Sequence, residues 1–319
     1  MRAFAVKSFG DAPGICELQA PAADDSVLIR VSCAGVNPVD QQLVEQLTAR
    51  SSFPFVVGVD VAGVVERVPA GDHDLHVGDR VFGMARTHGS YAEYTAVALG
   101  APTEPLARIP DGVSDEQAAA LPVAAVAALG ALELLAVAPG ETLLVLGAAG
   151  AVGGYAVQMA VARGARVVAS VRGSADASEA RRLGAAEVHD VGSGGVARAL
   201  QGAGADAVLD IVNGRDASRG DAEFLTPGGR LVSTIFGADV AWFAERRITA
   251  YNIIGHPTPF GGTPNPRQTP QGLAELARML ATGTITARIR STARLDGAAA
   301  VLAGLRDGSL RGKAVIRVR

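Results

Sequence analysis

The sequence predicts an α/β protein in which a doubly wound parallel-sheet domain interrupts a β-rich domain. Short strand-like segments separated by Gly, Pro and Asp fill residues 1–117, whereas strands alternate with helices over 118–255. A glycine-rich turn joins one of these later strands to its helix. The chain has 319 residues, which predicts two domains because single cores rarely grow beyond about 250–300 residues.

The first 117 residues have the pattern of short strands joined by turns. The expected strands are 3–6, 26–34, 59–68, 80–83, 91–97 and 106–108. This spacing is typical of a small barrel or a folded sheet. Ser114 and Gln117 form the pattern of a capping box, so we expect one helix to start there and run to residue 135.

Strand-like and helix-like segments then alternate with short connections. The expected strands are 142–146, 166–170, 187–189, 207–210, 229–234 and 249–254, with helices at 153–163, 177–183, 196–203 and 217–225. Such alternation predicts right-handed crossovers and a parallel sheet covered on both faces. Residues 256–319, with helices expected at 271–282 and 296–307 and a strand at 313–318, should rejoin the first domain. We therefore expect one domain from 1–117 with 256–319 and another from 118–255.

Charge and hydropathy exclude several classes of partner. The formal net charge of −3 gives no electrostatic reason to expect nucleic acid or an anionic membrane. No segment approaches the roughly 20 apolar residues of a membrane span, and the first residues lack the apolar core of a signal peptide. The two cysteines, Cys16 and Cys33, do not suggest a disulfide framework. These features predict a cytoplasmic protein without a nucleic-acid or membrane partner.

The glycine-rich turn is the strongest local motif. Residues 147–154, GAAGAVGG, follow an apolar strand and open a helix, which is how a βαβ unit that binds a dinucleotide begins. The pyrophosphate is expected on the N–H groups at the positive end of this helix. The residues predicted to bind it are Gly150, Ala151, Val152 and Gly153. The alternative interpretation is an ordinary glycine-rich turn of an α/β protein.

The end of the next strand indicates which dinucleotide binds. An enzyme that prefers NAD usually has Asp or Glu about 20 residues beyond the glycines, bonded to the ribose 2′-hydroxyl. This chain has Ser170 and Arg172 there and no acid. Because a guanidinium pairs with a phosphate, the sequence favours NADPH, with both residues at the 2′-phosphate. The alternative is that Arg172 is a solvated surface residue.

Several segments resemble, in order and spacing, the medium-chain dehydrogenase/reductase superfamily in its zinc-independent quinone oxidoreductase branch. They include VSCAGVNPVD (31–40), VGDRVFG (77–83), GAAGAVGGYAVQMA (147–160), TPGGRLV (226–232) and GSLRGKAVIRV (308–318). The resemblance spans nearly the whole chain. It implies a GroES-like catalytic domain interrupted by a Rossmann domain, an active site in the cleft between them, and a homodimer formed through the edge of the Rossmann sheet.

The resemblance also bears on metal binding. Zinc alcohol dehydrogenases of this superfamily carry Cys where this chain has Asn37, and a His-Glu pair where it has Val59 and Asp60. Catalytic zinc needs about three protein ligands of the Cys, His or carboxylate type. Because Asn37 and Val59 do not supply them, we expect no metal.

The expected function is an NADPH-dependent, zinc-free reductase that transfers hydride to a quinone or to the β-carbon of an α,β-unsaturated carbonyl compound. By resemblance Asn37 belongs to the active site; the alternative is that it only caps the turn before Pro38. Phe260 and Arg267, in a segment rich in proline and glycine, are candidate substrate contacts; the alternative for Arg267 is that it lies in a solvated connection between the domains.

Two departures from the family keep other functions open. Residues 41–55 contain no tyrosine, and Ala127 stands where relatives often have threonine. The alternatives are a pathway-specific biosynthetic enoyl reductase or cyclase, and a non-catalytic dimer that binds NADPH.

Overall fold

A computed structural model describes residues 1–71, 73–192, 204–255 and 262–319. The chain divides into two compact units. The first consists of Met1–Ala124, Thr269–Gly283 and Ala287–Arg319, and the second of Ala125–Gln268 and Thr284–Thr286. The second unit is thus an insertion in the sequence of the first.

Short strands dominate the first segment. In chain order its elements are β1 (Arg2–Val6), β2 (Gly14–Glu17), β3 (Val27–Val36), α1 (Pro38–Glu45), β4 (Phe55–Val56), β5 (Asp60–Arg67), β6 (Arg80–Met84), β7 (Tyr94–Val97), β8 (Leu106–Arg108) and α2 (Asp115–Ala119). Strands β2 and β4, which were not expected, flank β1 in a three-stranded sheet. Both are short edge strands, so neither is long enough to produce a clear alternating pattern.

The helix expected from Ser114 to residue 135 is two helices. The predicted capping box is present, because the Gln117 N–H donates to Ser114 Oγ (3.2 Å) and the Ser114 N–H donates to Gln117 Oε1 (3.0 Å). Helix α2 ends at Ala119, and α3 (Pro122–Leu135) begins with a proline. Proline lacks an N–H and blocks the preceding turn, so it starts a new helix and does not continue the old one.

The second unit contains a parallel sheet of the Rossmann type. Its further elements are β9 (Thr142–Leu146), α4 (Ala151–Ala162), β10 (Arg166–Val171), α5 (Ser174–Arg182), β11 (Glu187–Asp190), β12 (Ala205–Asp210), α6 (Arg215–Ser218), a 3₁₀ helix (Arg219–Phe224), β13 (Leu225–Ser233), α7 (Val240–Ala244), β14 (Thr249–Ile254) and β15 (Thr263–Pro264). The strand order is β11-β10-β9-β12-β13-β14-β15, and all pairs are parallel. The order therefore reverses between β9 and β12, the point at which such sheets bind ligands. The helix expected at 196–203 lies outside the described residues.

The final segment returns to the first unit. Its elements are α8 (Pro270–Ala281), β16 (Ile289–Arg294), a 3₁₀ helix (Leu295–Gly297), α9 (Ala298–Asp307) and β17 (Lys313–Arg317). They extend a sheet of order β16-β17-β3-β5-β6-β8, in which β7 also pairs with β3. The predicted fold class, a GroES-like unit interrupted by a Rossmann unit, is confirmed.

Both unit boundaries lie later in the chain than the sequence predicted. Residues after 255 were assigned to the first domain, but β15 pairs with β14 and Asn265 Nδ2 donates to the Val126 carbonyl (3.0 Å). These bonds hold the segment up to Gln268 in the second unit. At the other boundary, α2 packs on β3 and β5 and so keeps residues up to Ala124 in the first unit.

None of the helices in the described part of the chain is long and apolar enough to cross a membrane.

Candidate active site

The turn after β9 brings the backbone of α4 close to the strand. Gly147 has a φ of +86°, and the Gly150 N–H donates to its carbonyl (3.0 Å). A Cβ on Gly153 would lie 2.4 Å from Gly147 O and 2.8 Å from Ala148 Cα. Only glycine therefore permits this close packing of helix and turn.

The N-terminus of α4 presents N–H groups that the helix itself does not satisfy. Gly150 is the N-cap and supplies no side-chain hydrogen bond, and the first helical bond is made by the Gly154 N–H to the Gly150 carbonyl (2.9 Å). The N–H groups of Ala151, Val152 and Gly153 have no acceptor within the helix. This arrangement fits the pyrophosphate of a dinucleotide.

Ser170 and Arg172 occupy different environments at the end of β10. Ser170 is buried, and its Oγ accepts a hydrogen bond from the Gly147 N–H (3.3 Å), while the Ala148 N–H donates to its carbonyl (3.0 Å). Ser170 thus braces the glycine-rich turn. Arg172 lies just beyond β10 and is exposed. Their predicted contacts with a 2′-phosphate stay predictions.

Asp190 is a neighbouring acid that the sequence analysis missed. It ends β11, and its Oδ1 accepts hydrogen bonds from the Gly173 N–H (2.9 Å) and the Gly192 N–H (3.0 Å). The carboxylate therefore lies next to the loop that carries Arg172. The sequence signal was available, because adjacent parallel strands end at the same edge of a sheet.

In the first unit, Asn37 caps helix α1 with its backbone and joins a buried cluster of side chains with its amide. It is the extended N-cap of α1, with Pro38 at the first helical position, and its N–H donates to Asp40 Oδ2 (2.7 Å). The side chain is 3% exposed. Its Nδ2 donates to Asp60 Oδ2 (2.8 Å), and its Oδ1 accepts from Lys313 Nζ (2.6 Å). Thus the backbone caps the helix while the amide joins a separate buried cluster.

The Asn37 amide is hydrogen-bonded to both members of a buried ion pair, Lys313 and Asp60. Lys313 is 1% exposed, and its Nζ lies 2.7 Å from Asp60 Oδ2. The other Asp60 oxygen accepts from the Val123 N–H (2.9 Å). Asn37 follows β3, whereas Asp60 and Lys313 begin the two strands that flank it, β5 and β17. The sheet therefore brings together three residues that are far apart in sequence.

Asp40 and Tyr91 form the other side of the cluster. Burial and the neighbouring Asp60 carboxylate raise the pKa of Asp40 to about 7, against the effect of its hydrogen bonds. The Tyr91 hydroxyl donates to Asp40 Oδ2 (2.9 Å), and burial raises the pKa of Tyr91 well above its usual value. Tyr91 therefore remains a neutral donor that helps to fix the carboxyl group at the start of α1.

The side chains at the expected zinc positions do not fit a catalytic zinc. Asn37 offers an amide, Val59 offers no ligand, and Asp60 already pairs with the Lys313 ammonium. Zinc sites are built from Cys, His and carboxylate ligands, about three in a catalytic site. In the ranges that the structure describes, no group of three or more His, Cys, Asp or Glu side chains could hold a metal ion.

The predicted site residues thus fall in two places. Gly150, Gly153 and their neighbours in the turn belong to the second unit with Ser170 and Arg172, whereas Asn37 belongs to the first. Phe260 lies outside the described residues. Sequence reasoning missed Lys313, although a lysine inside the apolar strand pattern KAVIRV was a usable signal.

Comparisons with known proteins agree with this architecture. The family model described as Alcohol dehydrogenase GroES-like domain matches residues 23–111, and the one described as Zinc-binding dehydrogenase matches residues 183–316. Quinone oxidoreductase of Rattus norvegicus is 34% identical over 247 residues, which cover 73% of this chain and 72% of that protein.

Two further relatives differ in coverage. The 2-methylene-furan-3-one reductase of Solanum lycopersicum is 39% identical over 147 residues, 43% of this chain and 37% of that protein. A mycobacterial protein solved in complex with NADPH has a TM-score of 0.81 and 26% identity, and the match covers 99% of both chains. The chain therefore belongs to the medium-chain dehydrogenase/reductase superfamily, in its quinone oxidoreductase branch, and is an oxidoreductase with a nicotinamide cofactor.

Proposed function

We propose that this protein is an NADPH-dependent reductase that acts without zinc and transfers hydride to a quinone or to the β-carbon of an α,β-unsaturated carbonyl compound. The observation that carries the proposal is the amide of Asn37, held by Asp60 and Lys313 where zinc-dependent relatives carry metal ligands. An amide polarises a carbonyl much less than a metal ion does, so the acceptor must already be activated by conjugation.

The reaction needs one hydride and one proton. NADPH, when bound, would supply the hydride. When a hydride adds to the β-carbon of an enone, the electron pair of the double bond moves toward the carbonyl and negative charge develops on the oxygen. An amide nitrogen carries two hydrogens, and Asp60 accepts one from Asn37, so the second is the donor for this oxygen. Water then supplies the proton to the α-carbon, or to the oxygen of a reduced quinone.

The relatives support this choice of substrates. Their names specify a quinone and a 2-methylene-furan-3-one, and the latter has a double bond conjugated to a carbonyl group. NADPH is present in the mycobacterial structure. For this chain, Arg172 at the end of β10 favours NADPH over NADH because a guanidinium pairs with a 2′-phosphate.

The expected homodimer is also part of the proposal. Within the described residues, strand β15 pairs with Ile253 and Ile254 of β14 and no further along that strand. In the part of the chain that the structure describes, residues 249–252 pair with β13 on one side and with no strand on the other. Such an edge suits pairing with a second copy. Sedimentation of the purified protein tests this, since a monomer at assay concentration contradicts it.

Turnover of NADPH with benzoquinone and with cyclohexenone tests the proposed reaction. Wild-type protein should oxidise NADPH with at least one of them. The variant Asn37→Ala should lower kcat by about 100-fold, the usual effect of removing one preorganised donor. Glu45→Gln, an exposed change at the other end of α1, is the control and should leave kcat unchanged.

Binding measurements separate the outcomes. The dissociation constant for NADPH, measured by fluorescence titration, should be the same in wild type and in Asn37→Ala. Tight NADPH binding by the wild type without oxidation by either acceptor would overturn the proposal in favour of a non-catalytic binder. Full activity of Asn37→Ala would remove Asn37 from the site.

A further inference from the structure

The ammonium of Lys313 is the only cation bonded to Asn37 and Asp60 in the described residues. By the resemblance described above, zinc-dependent relatives carry Cys and Glu at these two positions. Here the cation is supplied by the chain itself, from the first residue of β17. In this chain, therefore, Asn37 and Asp60 are bonded to a fixed positive charge.

Strand pairing alone does not require this ion pair. Strands β17 and β3 are paired from Ala314 to Arg317, and β3 is paired with β5 along most of its length. A buried ion pair is often no more stabilising than well-packed apolar residues of similar volume. As the counter-ion of Asp60, Lys313 stabilises a carboxylate that is itself buried, but an apolar pair at the two positions would serve the fold as well.

The ion pair does determine how the Asn37 amide is oriented. The amide oxygen faces the Lys313 ammonium at 2.6 Å, and the nitrogen faces the Asp60 carboxylate at 2.8 Å. A flipped amide would place its N–H groups against the ammonium and its oxygen against the carboxylate, so only one orientation is satisfied. A cation on the amide oxygen also draws electrons from the nitrogen and makes its remaining N–H a stronger donor.

We propose that Lys313 is a positioning residue that supplies a fixed positive charge to the site: it orients and polarises the Asn37 amide toward the substrate oxygen. This inference rests on the proposed function. Lys313 does not contact the substrate and acts only through Asn37. Asp60 has the complementary role of holding the amide nitrogen and neutralising the ammonium.

A pair of variants separates positioning from structural support. Lys313→Met leaves the Asp60 carboxylate buried without its cation and should destabilise the fold. The double variant Lys313→Met/Asp60→Asn removes both charges and should recover most of that stability. If Lys313 and Asp60 together position Asn37, the double variant stays about 10- to 100-fold below wild type in kcat, with an unchanged KM for NADPH.

Val315→Ala is the matched control on the same strand. Val315 is fully buried in β17, so the change lowers thermal stability without touching the amide. Its kcat should equal that of the wild type below its melting temperature. Recovery of wild-type kcat together with stability in the double variant would overturn the proposal, because it would show that Lys313 acts only as a structural residue.

A spectroscopic readout keeps this test independent of turnover. In the wild type, the side-chain NH₂ of Asn37 should give one pair of proton resonances in a ¹⁵N-correlated NMR spectrum, assigned by their loss in Asn37→Ala. In the double variant these resonances should move upfield or broaden, since the cation no longer polarises the amide. Unchanged resonances contradict the proposal. If they move while the wild type reduces neither acceptor, the proposed reaction fails and the placement of the amide stands.

Discussion

The glycine-rich turn and the Asn37 cluster differ in whether their hydrogen-bonding groups have partners within the protein. At the start of α4, the N–H groups of Ala151, Val152 and Gly153 have no acceptor within the helix. Around Asn37, the amide nitrogen, the amide oxygen and the backbone N–H each have a partner inside the protein. The first region leaves donors for an anion that arrives from solvent, whereas the second fixes one geometry before any ligand arrives.

Of the two regions, we expect a substitution in the glycine-rich turn to cause the larger loss of ligand affinity. Gly153→Val places side-chain atoms where a Cβ alone would lie 2.4 Å from Gly147 O, so α4 must move away from the turn. We expect NADPH affinity to fall by at least about 100-fold in a fluorescence titration, because the pyrophosphate depends on this close approach.

Gly214→Ala is the control for that substitution. A Cβ on Gly214 meets no atom within 4 Å, and this residue lies at the start of α6 in the same unit. NADPH affinity should therefore remain at the wild-type level. Wild-type affinity in Gly153→Val would show that the dinucleotide does not bind at this turn.

The next largest effect is expected on the preference for NADPH over NADH when Arg172 is substituted. Arg172→Asp replaces a guanidinium by a carboxylate that repels a 2′-phosphate and can accept from a ribose hydroxyl. The ratio of kcat/KM for NADPH to that for NADH should fall by about 100-fold, which corresponds to about 2.7 kcal/mol.

Arg181→Asp makes the same charge change on the exposed surface of α5 and should alter the ratio far less. If the preference for NADPH survives Arg172→Asp, the cofactor assignment is wrong. Asp190 would then be the next residue to test, because its carboxylate is bonded to Gly173 in the same loop.

The second unit has its own buried acids, and these lack a lysine. Asp210 ends β12, and its Oδ1 accepts from the N–H groups of Val212 (2.9 Å) and Asn213 (3.0 Å). Burial and the adjacent Asp210 raise the pKa of Asp221 to about 9. Asp60, by contrast, has Lys313 as its counter-ion. The comparison predicts that the acids of the second unit weaken the fold at high pH.

Asp221→Asn tests this prediction. A pKa raised in the folded state means that stability is greatest below the pKa of the unfolded carboxyl, about 3.9, and falls as the pH rises toward about 9. The neutral variant escapes this loss. At pH 8 its melting temperature should exceed that of the wild type by about 3–5 °C, and the difference should vanish near pH 4.

Asp216→Asn is the control, because Asp216 is exposed in the neighbouring helix α6. Its melting temperature should follow that of the wild type at both pH values. Equal pH dependence in Asp221→Asn and the wild type would contradict the raised pKa.

The same contrast explains what the sequence could predict. The turn was predictable because β9, its glycines and α4 are contiguous, and the end of β10 follows at a regular spacing. Asn37 could be singled out only by resemblance. Its partners Asp60 and Lys313 lie 23 and 276 residues away along the chain, and no local pattern links them. Their meeting depends on the order of β17, β3 and β5 in the sheet.

Errors in the predicted elements also have physical causes. The expected single helix is divided at Pro122. Proline has no N–H to donate to the preceding turn, so it ends the first helix and stands as the first residue of α3. The predicted domain boundary after residue 255 was also wrong. It was placed there because the segment that follows is rich in proline, but the side chain of Asn265 is hydrogen-bonded to α3 and β15 pairs with β14, which keeps this segment in the second unit. Composition alone does not show where such side-chain hydrogen bonds form.

Transfer of deuterium from labelled cofactor tests the central claim most directly. NADPH deuterated at the reactive C4 position of the nicotinamide is incubated with the wild-type protein and cyclohexenone, and the product is analysed by mass spectrometry and NMR. We predict one deuterium on the β-carbon and a solvent-derived proton on the α-carbon, with loss of most of this product in Asn37→Ala. Product labelled at the carbonyl carbon would contradict the account, and so would the absence of both labelled enone product and NADPH oxidation by the quinone while NADPH binds.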